Sequence, residues 1–271
     1  MGDGTSVADR AVTTARPLLA FGRIVVVGGG CYGNYYVRQL ARAWAAGAVA
    51  WTSLTVVDRD PDCLVARLAQ GDRPPNLYVE TAEWSEYFSR FLGDASACPD
   101  ERARDTIVPS PLMPHLMAEW LLRRAEERWP GRAIGVAPLA AAPAVPWQMT
   151  GPDHTHFVSF AEWICPINCI EPPTCPATKG ERTWSLPPAL QAYVADEATA
   201  GRPIEGPFVF HCSHRAYGVG MIDVSSVLAA DAAMAERAER GAASFLVGTA
   251  SHCHGALQRL EIGPALPQPA K

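Results

Sequence analysis

Arg23-Ile-Val-Val-Val-Gly28-Gly29-Gly30-Cys31-Tyr32-Gly33 decides how this chain is read. Ile24 to Val27 form an unbroken β-branched run with no polar alternation, the pattern of a strand covered on both faces of a parallel sheet. It leads directly into glycines. Beyond Gly33, the residues Tyr36, Val37, Leu40, Ala41 and Trp44 recur at helical intervals. A strand, a tight turn and a helix therefore follow in order, with G-x-G-x-x-G spacing at their junction. In such a loop Gly28 permits the turn, Gly30 lets the backbone approach a pyrophosphate, and Gly33 lets the helix pack against the strand. The helix amino end adds N–H groups and positive dipole.

Working outward, Leu54–Val57 reads as a second strand with Asp58 at its carboxyl end, followed by a short helix through Leu68. Third and fourth strands are predicted at Leu77–Val79 and Thr106–Val108, the latter ended by Pro109 and Pro111. An amphipathic helix over His115–Arg128 and a fifth strand at Ala133–Val136 complete the alternation. That alternation predicts the α/β class and a doubly wound parallel sheet, Rossmann-like in order. These residues resemble the NAD(P)-binding Rossmann-fold family over residues 22–140. The resemblance implies a dinucleotide held by Gly28, Gly30, Cys31, Tyr32 and Gly33. It also implies a ribose on Asp58 and, beside Arg59, room for a 2′-phosphate, so NAD and NADP both remain open. Val57-Asp58-Arg59-Asp60-Pro61 resembles, less closely, S-adenosylmethionine-dependent aminopropyl- and methyltransferases.

The two halves differ in chemistry. Residues 1–21 are small and polar without period and read as a disordered tail. From Ala140 to Pro146 alanine and proline dominate, marking a boundary before a second unit over 147–265. There Gly206–His211 and Ser244–Val247 are apolar strand candidates flanking a helix near 225–240, a second βαβ pattern. Five of the eight cysteines and six of the seven histidines fall in this half. Disulfides are rare in the cytosol, so such clustering points to metal or redox work.

Cys165-Pro-Ile-Asn-Cys169-Ile-Glu-Pro-Pro-Thr-Cys175-Pro places three thiols within eleven residues, in a segment too rich in proline for a helix or a central strand. Pro166, Pro172, Pro173 and Pro176 stiffen the loop, which lowers the entropy cost of gathering its thiols. Structural zinc sites use closer pairs, whereas x3 and x5 intervals with proline after Cys165 and Cys175 favour an iron–sulfur loop, with zinc the alternative. The spacing matches no ferredoxin motif. A fourth ligand comes from His211-Cys212-Ser213-His214 or from His252-Cys253-His254, each just past a predicted strand, with Cys212 preferred. His154 and His156 read as a solvated loop, and His115 as a helix cap or substrate contact.

A net charge of −5, from 23 basic and 28 acidic residues, offers no footprint for nucleic acid or an anionic membrane. No apolar run reaches membrane-span length and no secretory signal is apparent, so a cytoplasmic protein is expected. The function these features imply is an NAD(P)-dependent oxidoreductase or electron-transfer protein with a thiolate-ligated cluster or metal. It would act on a small-molecule substrate or a redox partner protein, with homo-oligomerisation left open. Two alternatives stand beside it: an S-adenosylmethionine-dependent transferase with structural zinc, and a non-enzymatic nucleotide or metal sensor or assembly factor.

Overall fold

A computed structural model describes residues 18–165 and 169–265. Strand β1 (Leu19–Ala20) pairs in parallel with β3 (Val49–Ala50), and between them run β2 (Arg23–Val27) and α1 (Cys31–Ala45). Next come β4 (Ser53–Asp58), β5 (Leu77–Thr81), α2 (Trp84–Ala97), β6 (Thr106–Val108) and α3 (Leu116–Arg128). β7 (Ile134–Ala137), β8 (Trp147–Thr150), β9 (His156–Ser159), α4 (Leu186–Thr199) and β10 (Glu205–His211) follow. The chain closes with β11 (Ser213–Ala216), β12 (Val219–Asp223), α5 (Val224–Glu239), β13 (Ala243–Ala250) and β14 (His254–Ile262). Of the expected tail, residues 1–17 lie outside the described residues.

The α/β class holds, built on two mixed six-stranded sheets. The first has the order β11-β12-β6-β2-β4-β5, in which β6, β2, β4 and β5 are parallel while β12 runs antiparallel to β6. The second has the order β10-β13-β14-β9-β8. There the far edge of β14 is shared, with β9 pairing His254–Leu257 and β7 pairing Arg259–Ile262. β7, expected as the fifth strand of the first sheet, therefore belongs to the second, and the hairpin β11–β12 takes the vacated side. The expected βαβ pattern of the second half is present as the parallel pair β10 and β13, with β11, β12 and α5 in the connection.

Five layers result. Along β2, Ile24 and Val26 face α1, while Val25 and Val27 face α2 and α3, as the two-residue period of a strand requires. The second sheet reaches the same core from the other side through Phe210, Phe245, Val247, Leu260 and Ile262. Its outer face is covered by α4 through Leu186, Leu190 and Tyr193 against Leu246 and Leu257. The helices α2, α3 and α5 thus fill the space between the sheets. Among the described residues no helix is long and apolar enough to cross a membrane.

Two arginines tie the edges of this stack. Arg23 donates from its backbone N and from Nε to the buried carboxylate of Asp105, at 2.7 and 2.6 Å, joining the starts of β2 and β6. Arg132 donates to three carbonyls, those of Gly263 at 2.7 Å, Ala238 at 2.8 Å and Gly241 at 2.7 Å. It binds the end of α5 to the end of β14, where a positive charge also meets the helix carboxyl terminus favourably. Replacing it with methionine keeps the aliphatic stem and removes the three bonds. Arg132→Met should lower the unfolding free energy by about 2–3 kcal/mol, seen as a fall in the urea midpoint with an unchanged slope.

Candidate functional site

The glycine loop after β2 is built as the sequence indicates. Gly28 adopts φ +83°, which favours glycine, and a Cβ at Gly33 would overlap the carbonyl oxygen of Gly28. A Cβ at Gly29 would meet the Cys63 sulfur, whereas one at Gly30 would stand in open space. Gly30 is the N-cap of α1 and no side chain caps that helix end. Asp58 accepts from the Gly29 N–H at 2.6 Å and from the Asp60 N–H at 2.9 Å, so its carboxylate braces the loop. Arg59 lies over the Trp84 ring at 4.9 Å, and Cys31 is exposed at the first turn of α1.

Facing α1 is a cavity of about 450 Å³. Tyr32 and Tyr36 of α1 line it, with Ser110 and its flanking prolines after β6 and with Cys165, Cys169, Cys212 and Cys253. Glu171, His214, Ser251 and His254 complete it. The glycine loop, Ser110, Cys212 and Cys253 all follow the carboxyl ends of strands that are parallel within their own sheet, where open α/β folds gather ligand groups. Gly220 of β12 makes room for the thiol, since a Cβ there would overlap the Cys212 sulfur.

Three of the four thiols expected to act together line this cavity, and Cys253 joins them. Cys175 does not. It lies buried in a small hairpin bridged at Thr174 and Glu181, where its backbone bonds Gly180 and Lys179. Hydrogen bonds from Thr178 pull its thiol below the ordinary range. Residues 166–168, including Pro166, lie outside the described residues. His156 is spent within its hairpin, on Thr150 at 2.7 Å and Gln148 at 2.8 Å. His115 occupies the N-cap position of α3, makes no side-chain cap bond and pairs with Glu119 at 3.1 Å.

Sequence reasoning passed over Glu171, the residue that organises the thiol wall. Its carboxylate accepts from the Ser251 hydroxyl at 2.5 Å and from the backbone N–H groups of His252 and Cys253 at 2.9 and 3.1 Å. It thereby pins the cysteine loop to the β13–β14 turn, across 80 residues of sequence. Its backbone sits at φ +51°, sparsely populated for a residue with a side chain. An acid between two thiols and a Pro-Pro pair was the available signal.

Charge is scarce on the rest of the wall. Burial pushes the Cys212 and Cys253 thiols up to about 12, with the Glu171 charge acting in the same direction. Trp184 Nε1 donates to the Cys253 sulfur at 3.3 Å and opposes this. Burial and then the neighbouring Cys212 push the Tyr36 phenol up to about 12, so its proton stays on at neutral pH. Burial lowers His211 and His214, which favours neutral rings. His211 packs edge-on against His252 at 4.7 Å, and its buried Nε2 has no hydrogen-bond partner.

Thiols and neutral imidazoles are the donor chemistry of a thiophilic metal, and a cation would draw the thiols to thiolates. Among the described residues, however, no three His, Cys, Asp or Glu side chains are gathered as a metal shell.

The fold and cavity define a mixed α/β protein with a thiol-lined pocket between the first turns of α1 and strand ends of the second sheet. Residues 117–263, more than half of the chain, match a family described as "Uncharacterized protein, C-terminal domain", and the chain belongs to that family. This overturns the resemblance read from the glycine loop: the family recognised is an uncharacterized one whose match begins after that loop, and no NAD(P)-binding family is recognised. No curated protein and no solved structure matches. The matched region contains the entire thiol wall and Glu171.

Removing the Glu171 carboxylate leaves the His252 N–H without its acceptor and leaves the Cys253 N–H and Ser251 hydroxyl only their longer 3.3 Å bonds, to Ser251 Oγ and the His254 carbonyl. Glu171→Ala should therefore cost about 2–4 kcal/mol in chemical denaturation. Burial alone raises this carboxyl, but the bonds from Ser251, His252 and Cys253 outweigh it and hold the group below its ordinary 4.5. A depressed carboxyl stabilises the fold above pH 4.5, and that contribution is lost as pH falls through the folded value. Glu171→Gln should flatten this part of the stability–pH curve, measured by thermal melts between pH 3 and 6; an unchanged slope would refute the clamp.

Proposed function

We propose that this protein is a nucleotide-dependent oxidoreductase. NAD(P) occupies the glycine loop, and the thiols across the cavity hold an iron–sulfur cluster or a single thiophilic metal. One observation carries the reading: cysteines from three separated stretches, at 165 and 169, at 212 and at 253, line one cavity together with Tyr32 and Tyr36 of α1. Half-buried Cys165, Cys169 and Cys212 and buried Cys253 share this cavity with a carboxylate and histidines, a juxtaposition that metal and redox sites need. The loop geometry supports the nucleotide. Gly28 turns the chain, Gly30 leaves open space above the helix end, and Asp58 steadies the loop from the end of β4.

When bound, the nicotinamide would supply or accept hydride, and the metal would supply charge or single electrons. This chain's own residues bind and orient. Tyr36 keeps its phenol proton at neutral pH and offers Oη as a donor to a substrate in the cavity. Ser110 offers a hydroxyl from the end of β6, and Glu171 fixes the wall that bears Cys253. Cys165, Cys169, Cys212 and Cys253 would hold the metal only when drawn closer, since among the described residues they line one cavity without forming a shell. Cys175, displaced into its hairpin, drops out of the ligand set that the spacing suggested.

Two sets of variants test the reading. Protein purified without oxygen should contain iron and sulfide, or zinc; single Ser replacements of Cys169, Cys212 or Cys253 should each remove most of it. Cys175→Ser and Cys98→Ser should retain it. Gly30→Val should weaken NADH or NADPH binding at least tenfold in calorimetry while the protein stays folded, because the added side chain meets no protein atom. Metal-free wild type with no affinity for either dinucleotide would end the proposal, and tighter binding of S-adenosylmethionine would replace the cofactor.

A further inference from the structure

A second cavity of about 610 Å³ adjoins the thiol-lined one and shares Phe157, Cys165, His254 and Gly255 with it. Its walls come from the edge strand β8 and from Trp163 and Ile164, just before Cys165. In the antiparallel pair, Met149 stands opposite Phe157 and Trp147 opposite Ser159, so alternation puts these side chains on one face of the sheet. Trp147 and Met149 are 43% and 54% exposed and Ile164 is 99% exposed, a contiguous apolar surface beside the thiol-lined cavity. Charge is one-sided. Among the described residues, the carboxylates of Glu162 and Glu171 are the acidic side chains lining the two cavities, and no Lys or Arg lines either.

We infer that this groove receives the apolar arm of a substrate whose reacting end enters the thiol-lined cavity, and that this substrate is uncharged or cationic. The inference rests on the thiol-lined cavity being the reaction site. The two cavities share four lining residues, so a molecule that reacts beside Ser110 and the thiols can lay its arm along Trp147, Met149 and Trp163. Glu162 and Glu171 disfavour an anionic ligand, because Glu171 is held only by neutral donors and, among the described residues, no Lys or Arg lines either cavity to offset the two carboxylates. The arm gains affinity by leaving water, and indole rings give it a broad apolar wall.

The test uses the full-length protein as purified, with its metal content recorded, and Nile red as a neutral reporter displaced by straight-chain alcohols. Affinity should rise about fourfold per methylene from butanol to octanol. Octanoate should bind at least tenfold more weakly than octanol. Met149→Lys should weaken octanol at least tenfold with the melting temperature and NADH affinity unchanged, and Met149→Leu should restore it. Equal binding of octanoate and octanol, no dependence on chain length, or full affinity in Met149→Lys would overturn the inference. So would a wild-type dimer that Met149→Lys converts to monomer, because the groove would then be filled by a second copy. Groove binding is read without turnover, so the two readings fail separately. Alcohol binding in protein lacking metal and dinucleotide affinity strikes the redox reading, and its absence in protein holding both strikes the groove.

Discussion

A helix layer buried between two sheets is the constraint on which the rest of this molecule depends. α3 buries Leu116, Met117, Ala118, Trp120, Leu121 and Ala125, too many positions for one narrow stripe. α5 likewise buries Val224, Val227, Ala230, Met234 and Ala238 in the core reached by both sheets. Each sheet covers what the other leaves open. Neither sheet can shift without exposing apolar surface on these helices, and close-packed interiors resist such shifts. Fixing the two sheets also fixes the gap between their strand ends, and the gap is where the cavity lies.

Polar chemistry in the gap is organised by few groups. Asp58 holds the glycine loop, while Glu171 holds the cysteine loop to the β13–β14 turn. Both are carboxylates that accept backbone N–H groups, a charge-assisted contact stronger than a neutral one. Each fixes a loop that has no strand or helix of its own. The cavity thus has one wall set by a helix start and another set by an acid clamp.

The first half of the fold was legible because its signals are local. A β-branched run, glycines and a helical period report strand, turn and helix within one stretch, and β2, α1, β4 and β6 fall where the pattern puts them. Sheet membership was not legible. Ile134–Ala137 has the composition of any buried strand, and only its partner, β14, decides that it joins the second sheet antiparallel. The same holds for β12, which returns to the first sheet from far along the chain, beside β6. Cysteine spacing misled for a related reason. Cys175 shares a loop with Cys165 and Cys169, but a bridge between Thr174 and Glu181 turns it into a hairpin of its own.

By itself the sequence determined the α/β class, the strand–glycine–helix unit with its φ-positive Gly28, and a second half rich in thiols and histidines. Those properties follow from side-chain shape, periodicity and composition, which act between near neighbours. The tertiary structure alone decided that Cys165, Cys169, Cys212 and Cys253 share a wall, that Glu171 clamps it, and that Tyr36 faces it. That residues 32 and 253 line one cavity depends on how two sheets stack over a common helix layer, and no local pattern encodes that packing.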